Sequence, residues 1–284
     1  MKPNFLIIGA ARSATTSLYK YLNHHPEIFF PTIKEINYFS NERFWQKGEA
    51  WYTNQFSSAI GKVAIGEAST SYTAAISNND IVPRRIKSVL GSIKLIYIVR
   101  DPIDRALSHY MHYYHRSERV MPISELLNNK VYEDTLWQGK YAHQIDMYLR
   151  HFTANSLLVI TVDELKSNPQ KTMDRIFSHI EVHKMDIGDI SSETHNANDT
   201  ATEKGKFGKW VMNNYQRHIE QRELPWPLKK AFLTLAKLDS TPLEKPTLSV
   251  QQISELREFY ASDLKRMQEE YGLDLSSWGT VIKN

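Results

Sequence analysis

Two stretches of this chain carry residue types suited to holding a charged group, and two carboxylates lie close by in sequence. After the apolar run Phe5-Leu6-Ile7-Ile8 comes Gly9-Ala10-Ala11-Arg12-Ser13-Ala14-Thr15-Thr16-Ser17, which combines one cation with four hydroxyls. A helix starting there has unpaired N–H groups and a dipole that attracts negative charge, so a phosphate fits. Against the nucleotide-triphosphatase loop G-x-x-x-x-G-K-[ST], Gly9 and Thr16 match, Ala14 replaces the second glycine, and Thr15 stands where the lysine belongs. That lysine reaches the β/γ-phosphates and the next hydroxyl ligates Mg²⁺. Without the lysine, the loop suits a shorter anion at the 5′ end of a nucleotide, held without a metal. The bland alternative is an ordinary strand–turn–helix capped by Thr15.

Arg100 closes the apolar run KLIYIV (residues 94–99), at the strand end where open α/β sheets bind ligands. Ser108 follows about two helical turns into the next element. Together they can cradle a second phosphate by charge-assisted hydrogen bonds; the alternative is an ion pair of Arg100 with Asp101 or Asp104. Glu35, beside Lys34, can serve as a general base if burial raises its pKa toward neutrality. Glu67 is a rival base or an acceptor-binding group. The structural alternatives are a solvated Lys34–Glu35 pair and a helix cap at Glu67. His109, His112 and His115 recur every third residue among tyrosines, which is not metal-ligand geometry. They read as an aromatic helix lining a cleft, with His109 and His112 facing an acceptor. Trp210, Trp226 and Trp278 read as packing residues.

The elements around these residues alternate. Residues 5–8, 28–30, 63–67, 94–99 and 157–162 read as strands; residues 15–22, 83–90, 102–114, 142–152 and the stretch after Pro169 read as helices. Strands alternating with helices predict an α/β fold with a parallel β-sheet flanked by helices and a helical C-terminal third. The polar stretch 183–206 reads as a long loop of the kind that forms lids, and 250–271 as a charged helix. One domain over 1–284 is the economical organisation.

Composition removes other classes. The chain has 284 residues, 41% hydrophobic and 24% charged, and a net charge of 35 − 32 = +3, which does not suit a dedicated nucleic-acid binder. With no cysteine, disulfides, thiolate catalysis and cysteine-based zinc sites are excluded, and the cytoplasm is the fitting compartment. No run approaches a membrane span. Arg12 interrupts the N-terminal apolar run too early for a signal peptide.

The pairing of IIGAARSATTSLYKYLNHHP (residues 7–26) with KLIYIVRDPIDRALSHY (residues 94–110) resembles the sulfotransferases that use 3′-phosphoadenosine 5′-phosphosulfate (PAPS). KEINYF (residues 34–39) is similar to the Lys-Glu-x-x-(aromatic)-Phe segment of the heparan sulfate N- and 3-O-sulfotransferases, and GEASTSY (residues 66–72) to their Glu-Lys-(Ser/Thr)-x-x-Tyr segment. The resemblance implies a P-loop-like 5′-phosphosulfate site at Arg12, Ser13, Ala14, Thr15, Thr16 and Ser17. It implies a 3′-phosphate site at Arg100 and Ser108, and catalysis by Glu35 with Lys34 and Arg12. It also implies a late nucleotide loop at Lys204-Gly205-Lys206, an acceptor site that includes Glu67 and Tyr72, and a carbohydrate or other small acceptor. Ala68 replaces a lysine of the heparan enzymes, so Lys34 or Arg12 must cover that charge. The rival readings are a metal-dependent nucleotide kinase and a nucleotide-binding module without catalysis.

Overall fold

The computed structural model describes residues 1–76, 78–116, 130–188 and 247–281, with shorter pieces between 202 and 242. The polar run 195–200, Lys204 and Trp226 lie outside the described residues. The chain divides into two compact units: residues 1–110, 121–196 and 248–284 form the first, and 111–120 with 197–247 the second.

The first unit is built on five parallel strands: β1 (Phe5–Gly9), β2 (Ile28–Phe29), β3 (Ala64–Ala68), β4 (Lys94–Val99) and β5 (Leu157–Thr161). Their order across the sheet is β2-β3-β1-β4-β5. Every residue of β1 and β3 is buried, and all of β4 beyond Lys94. This is why these runs read as continuously apolar rather than alternating. Parallel neighbours require crossovers. The helices are α1 (Thr15–Asn23), α2 (Glu42–Trp45), α3 (Gly48–Asn54), α4 (Ile81–Leu90), α5 (Pro102–Arg116), α6 (Glu133–Trp137), α7 (Tyr141–Leu149), α8 (Val162–Ser167) and α9 (Pro169–His179). Leu18 and Leu22 of α1 share one core layer with Phe5, Ile7, Ile96 and Ile98 of the sheet and with Met173, Ile176 and Phe177 of α9.

Several boundaries shift by one to three residues: the third strand runs one residue past Glu67, to Ala68, and α7 stops at Leu149. The short α2 and α3 were not anticipated. They bring Trp45 and Tyr52 against Tyr38, the latter stacked at 4.5 Å.

In the second unit, β6 (Thr202–Glu203) pairs antiparallel with β7 (Thr241–Pro242) beside α10 (Lys206–His218). Trp210 corrects its reading as a packing residue: it is 62% exposed and stacks on Phe207. Back in the first unit, the last helix, α11 (Val250–Glu269), returns to α7, where Asp263 accepts the N–H groups of Ala142 and His143, each at 3.0 Å. Trp278 is buried as expected and donates its indole N–H to Asp163 at 2.7 Å.

Candidate active site

The loop after β1 begins at Gly9, whose φ is +153° and where a Cβ would stand 1.9 Å from the Thr73 hydroxyl. Only glycine fits. The chain then passes through left-handed Arg12 (φ 69°) and Ala14 (φ 56°), and Ala14 is the N-cap of α1. An alanine side chain offers no acceptor, and no side chain caps this helix. The capping by Thr15 that would make this an ordinary turn is therefore absent, because Thr15 is already the first helical residue. The N–H groups of Thr15, Thr16 and Ser17 have no intrahelical partner by construction. Inside the loop, the Ser13 hydroxyl is fully buried and has no hydrogen-bond partner. A buried, unsatisfied hydroxyl costs about 1–3 kcal/mol. A phosphate oxygen at the uncapped helix start would relieve it, so the residues present fit a phosphate-bearing ligand.

Arg100 leaves the end of β4 and pairs with Asp104 at 3.1 Å, both partly exposed. This is the ion pair weighed from the sequence, and exposed pairs of this kind hold weakly. Asp101, the next residue, accepts the N–H groups of Ile103 and Asp104 at the start of α5. It also accepts the N–H and hydroxyl of Thr280, at 2.9 and 2.6 Å. The C-terminal segment thus braces the turn that presents Arg100, a support no sequence motif signalled. Arg12 Nε donates to Ser108 Oγ at 3.1 Å, which joins the two phosphate-type segments through their own side chains.

The segment carrying Lys34 and Glu35 reaches the same place. Lys34 Nζ lies 2.9 Å from Thr16 Oγ1 and 3.4 Å from Glu35 Oε1. Glu35 is not buried: its side chain is 42% exposed. The burial on which a neutral-range base rested is absent, because the turn at 34–37 stands clear of the core while Ile36 alone points into it.

Glu67, Tyr72 and His109 correct the expected acceptor site. Glu67 is completely buried at the end of β3, accepting from Tyr52 at 2.5 Å and from Ser69 and Tyr72 at 2.6 Å each. It caps no helix and presents no oxygen to an acceptor. Tyr72 is 2% exposed, its hydroxyl committed to Glu67. His109 is buried with Nδ1 at 3.3 Å from buried Arg105, which also donates to the Thr135 carbonyl. His112 is half-buried on the same helix. Gly205 donates its N–H to the Asp239 carbonyl, and the Asp239 carboxylate accepts from Phe207 and Gly208. Of the expected late nucleotide loop, the Gly205 amide is thus already engaged.

Burial pushes the Glu67 carboxyl above its ordinary value, against the opposing pull of the three hydroxyls. Burial, then the charge of Glu67, pushes the Tyr52 and Tyr72 phenols well up, which keeps both as donors. A carboxyl whose folded-state pKa is raised favours the fold when protonated. That contribution fades as pH rises from the usual carboxylate range through the raised value. Stepped-pH melting should therefore show wild type losing stability across that window, and Glu67→Gln lacking this limb. Parallel curves for the two proteins would refute the assignment.

The site is thus a parallel α/β sheet whose first strand leads into an uncapped loop, against which the Lys34–Glu35 turn and Ser108 are set through Thr16 and Arg12. The sulfotransferase domain family matches residues 2–268, and the chain belongs to that family. Among its relatives, the mouse (Mus musculus) bifunctional heparan sulfate N-deacetylase/N-sulfotransferase 4 is 30% identical over 198 residues, covering 61% of this chain and 22% of that protein. The membrane-associated sulfotransferase kil1 of Dictyostelium discoideum is 40% identical over 111 residues, covering 38% of this chain and 22% of its own. The chain thus spans about a fifth of the length of these curated relatives. A crystal structure of a sulfotransferase from Alicyclobacillus acidocaldarius shares the fold, with a TM-score of 0.67 at 22% identity over 98% of this chain and 99% of that one. Among the described residues, no helix is long and apolar enough to cross a membrane.

Proposed function

We propose that this chain transfers the sulfuryl group of PAPS to a hydroxyl or amine of a carbohydrate acceptor, using Glu35, Lys34 and Arg12. The observation that carries the reading is the 2.9 Å contact of Lys34 with Thr16, which sets a cation and a carboxylate beside the uncapped start of α1. Bound there, the donor supplies an activated sulfuryl group on its 5′-phosphate. Glu35 takes the proton of the acceptor O–H or N–H as the new bond to sulfur forms. Lys34, Arg12 and the amides of Thr15, Thr16 and Ser17 meet the charge that gathers on the departing phosphate oxygen. Such fixed positive charge is worth most where charge develops in the transition state. Ser13 holds the same phosphate, and Arg100 with Ser108 takes the 3′-phosphate.

The carbohydrate class rests on the resemblance of the Lys34–Phe39 segment to heparan sulfate enzymes and on the similarity to the mouse protein. The continuous match over 2–268 supports reading both units as parts of one sulfotransferase domain. The cysteine-free composition supports a cytoplasmic site of action. Calorimetric titration with 3′-phosphoadenosine 5′-phosphate (PAP), beside ATP with Mg²⁺, tests the donor. Tight binding of the first, none of the second, and turnover that persists in excess chelator are expected. Binding of ATP with Mg²⁺ alone, or turnover lost to chelator and restored by Mg²⁺, would overturn the reading.

A further inference from the structure

The turn that carries Glu35 is held in an unusual backbone state. Glu35 and Asn37 are both left-handed, at φ 61° and 54°, a conformation that costs a non-glycine residue free energy and persists only where its surroundings impose it. What imposes it is the hydroxyl-rich segment after β3. Ser69 Oγ accepts the backbone N–H of Asn37 at 3.0 Å and donates its own proton to Glu67 Oε1 at 2.6 Å. Ser71 Oγ donates to Asn37 Oδ1 at 2.6 Å, and Asn37 Nδ2 donates to the Glu35 carbonyl at 2.8 Å. The Glu35 N–H itself goes to the Ala68 carbonyl at 3.1 Å. Each link runs from the buried strand end outward to the exposed carboxylate.

We infer that Glu67 and Ser69 are positioning residues for Glu35, a buried carboxylate and its serine that fix the left-handed turn from which Glu35 reaches the acceptor. The inference rests on the proposed role of Glu35 as base. Glu67 orients the Ser69 hydroxyl by accepting its hydrogen bond, which leaves a serine lone pair aimed at the Asn37 amide. With three donors already bound, Glu67 has no further task at the surface. Tyr52 on Oε2 and Tyr72 on Oε1 hold its carboxylate plane. Small displacements of a catalytic group cost rate far more than they cost ligand affinity.

A steady-state comparison of Ser69→Ala with wild type tests this, with PAP affinity and melting temperature measured alongside. Ser69→Ala should lower kcat about tenfold or more, with donor KM and PAP affinity within about twofold. Ser69→Thr, which keeps the hydroxyl, should restore most of kcat. Placed in a Glu35→Gln background, Ser69→Ala should change the residual rate by less than about twofold, since two residues acting through one group do not add. Should Ser69→Ala fail to fold, the half-buried Ser71→Ala, which loses its bonds to Asn37 and to the Ser40 hydroxyl, is expected to show the same split on a smaller scale. Unchanged kcat in both serine variants, or an equal fractional loss with and without Glu35, overturns the positioning role alone. Normal turnover in Glu35→Gln overturns the base assignment and this inference with it, so the two failures are told apart.

Discussion

Glu35→Gln is expected to lower turnover by about 10²- to 10⁴-fold, the range a positioned general base contributes, while PAP binds as tightly as to wild type. The amide has nearly the size of the carboxylate and no basic lone pair, so the change removes proton acceptance and little else. Folding should barely register it. The side chain is 42% exposed and its one ion pair, with Lys34 at 3.4 Å, is of the weak surface kind. The backbone links of the turn, Glu35 N–H to Ala68 and Asn37 Nδ2 to the Glu35 carbonyl, survive the substitution. Single-turnover rates with calorimetry on the same samples check it. Retained turnover would show that proton removal does not depend on this carboxylate, and the buried Glu67, with all its donors in place, is poorly set to replace it.

The second large effect concerns nucleotide discrimination. Arg100→Ala should weaken PAP by on the order of ten- to a hundredfold or more, and adenosine 5′-phosphate hardly at all. A hydrogen bond to a charged group is worth about 1.5–3 kcal/mol, and each 1.4 kcal/mol is tenfold. The exposed Arg100–Asp104 pair at 3.1 Å is a minor obstacle, since a doubly charged phosphate outbids one screened carboxylate. Arg12→Ala should weaken both nucleotides, because Arg12 belongs to the 5′ loop and also holds Ser108 at 3.1 Å. Two ligands titrated against two variants decide the matter. Equal losses for both ligands in Arg100→Ala would refute a 3′-phosphate site there.

Much of the frame was legible in the amino-acid order. The unbroken apolar runs at 5–8 and 94–99 announced strands buried on both faces, and they are β1 and β4. Gly9 and the hydroxyls after it announced a phosphate-type loop, because a left-handed turn and an uncapped helix start are local properties of a few consecutive residues. Segments as short as α2 and α3 were not legible, since helices of four and seven residues owe their existence to packing rather than to an intrinsic period.

The roles of individual side chains divided along the same line. Residue type left Glu35 and Glu67 as rival carboxylates, and only the family resemblance assigned the base to Glu35. The folded chain separates them by environment, bringing Tyr52 from α3 and Tyr72 from beyond β3 onto Glu67 and leaving Glu35 exposed. Burial depends on what arrives from elsewhere in the chain, and no local pattern records it. The same holds for Trp210, apolar by type yet 62% exposed, and for Thr280, which braces Asp101 from 179 residues away. The sequence by itself determined the strands, the glycine-and-hydroxyl loop after β1 and the family, because each is written in short contiguous stretches. The tertiary structure alone decided which carboxylate faces solvent and which is buried, because that choice is made by desolvation and by hydroxyls that meet only in the folded chain.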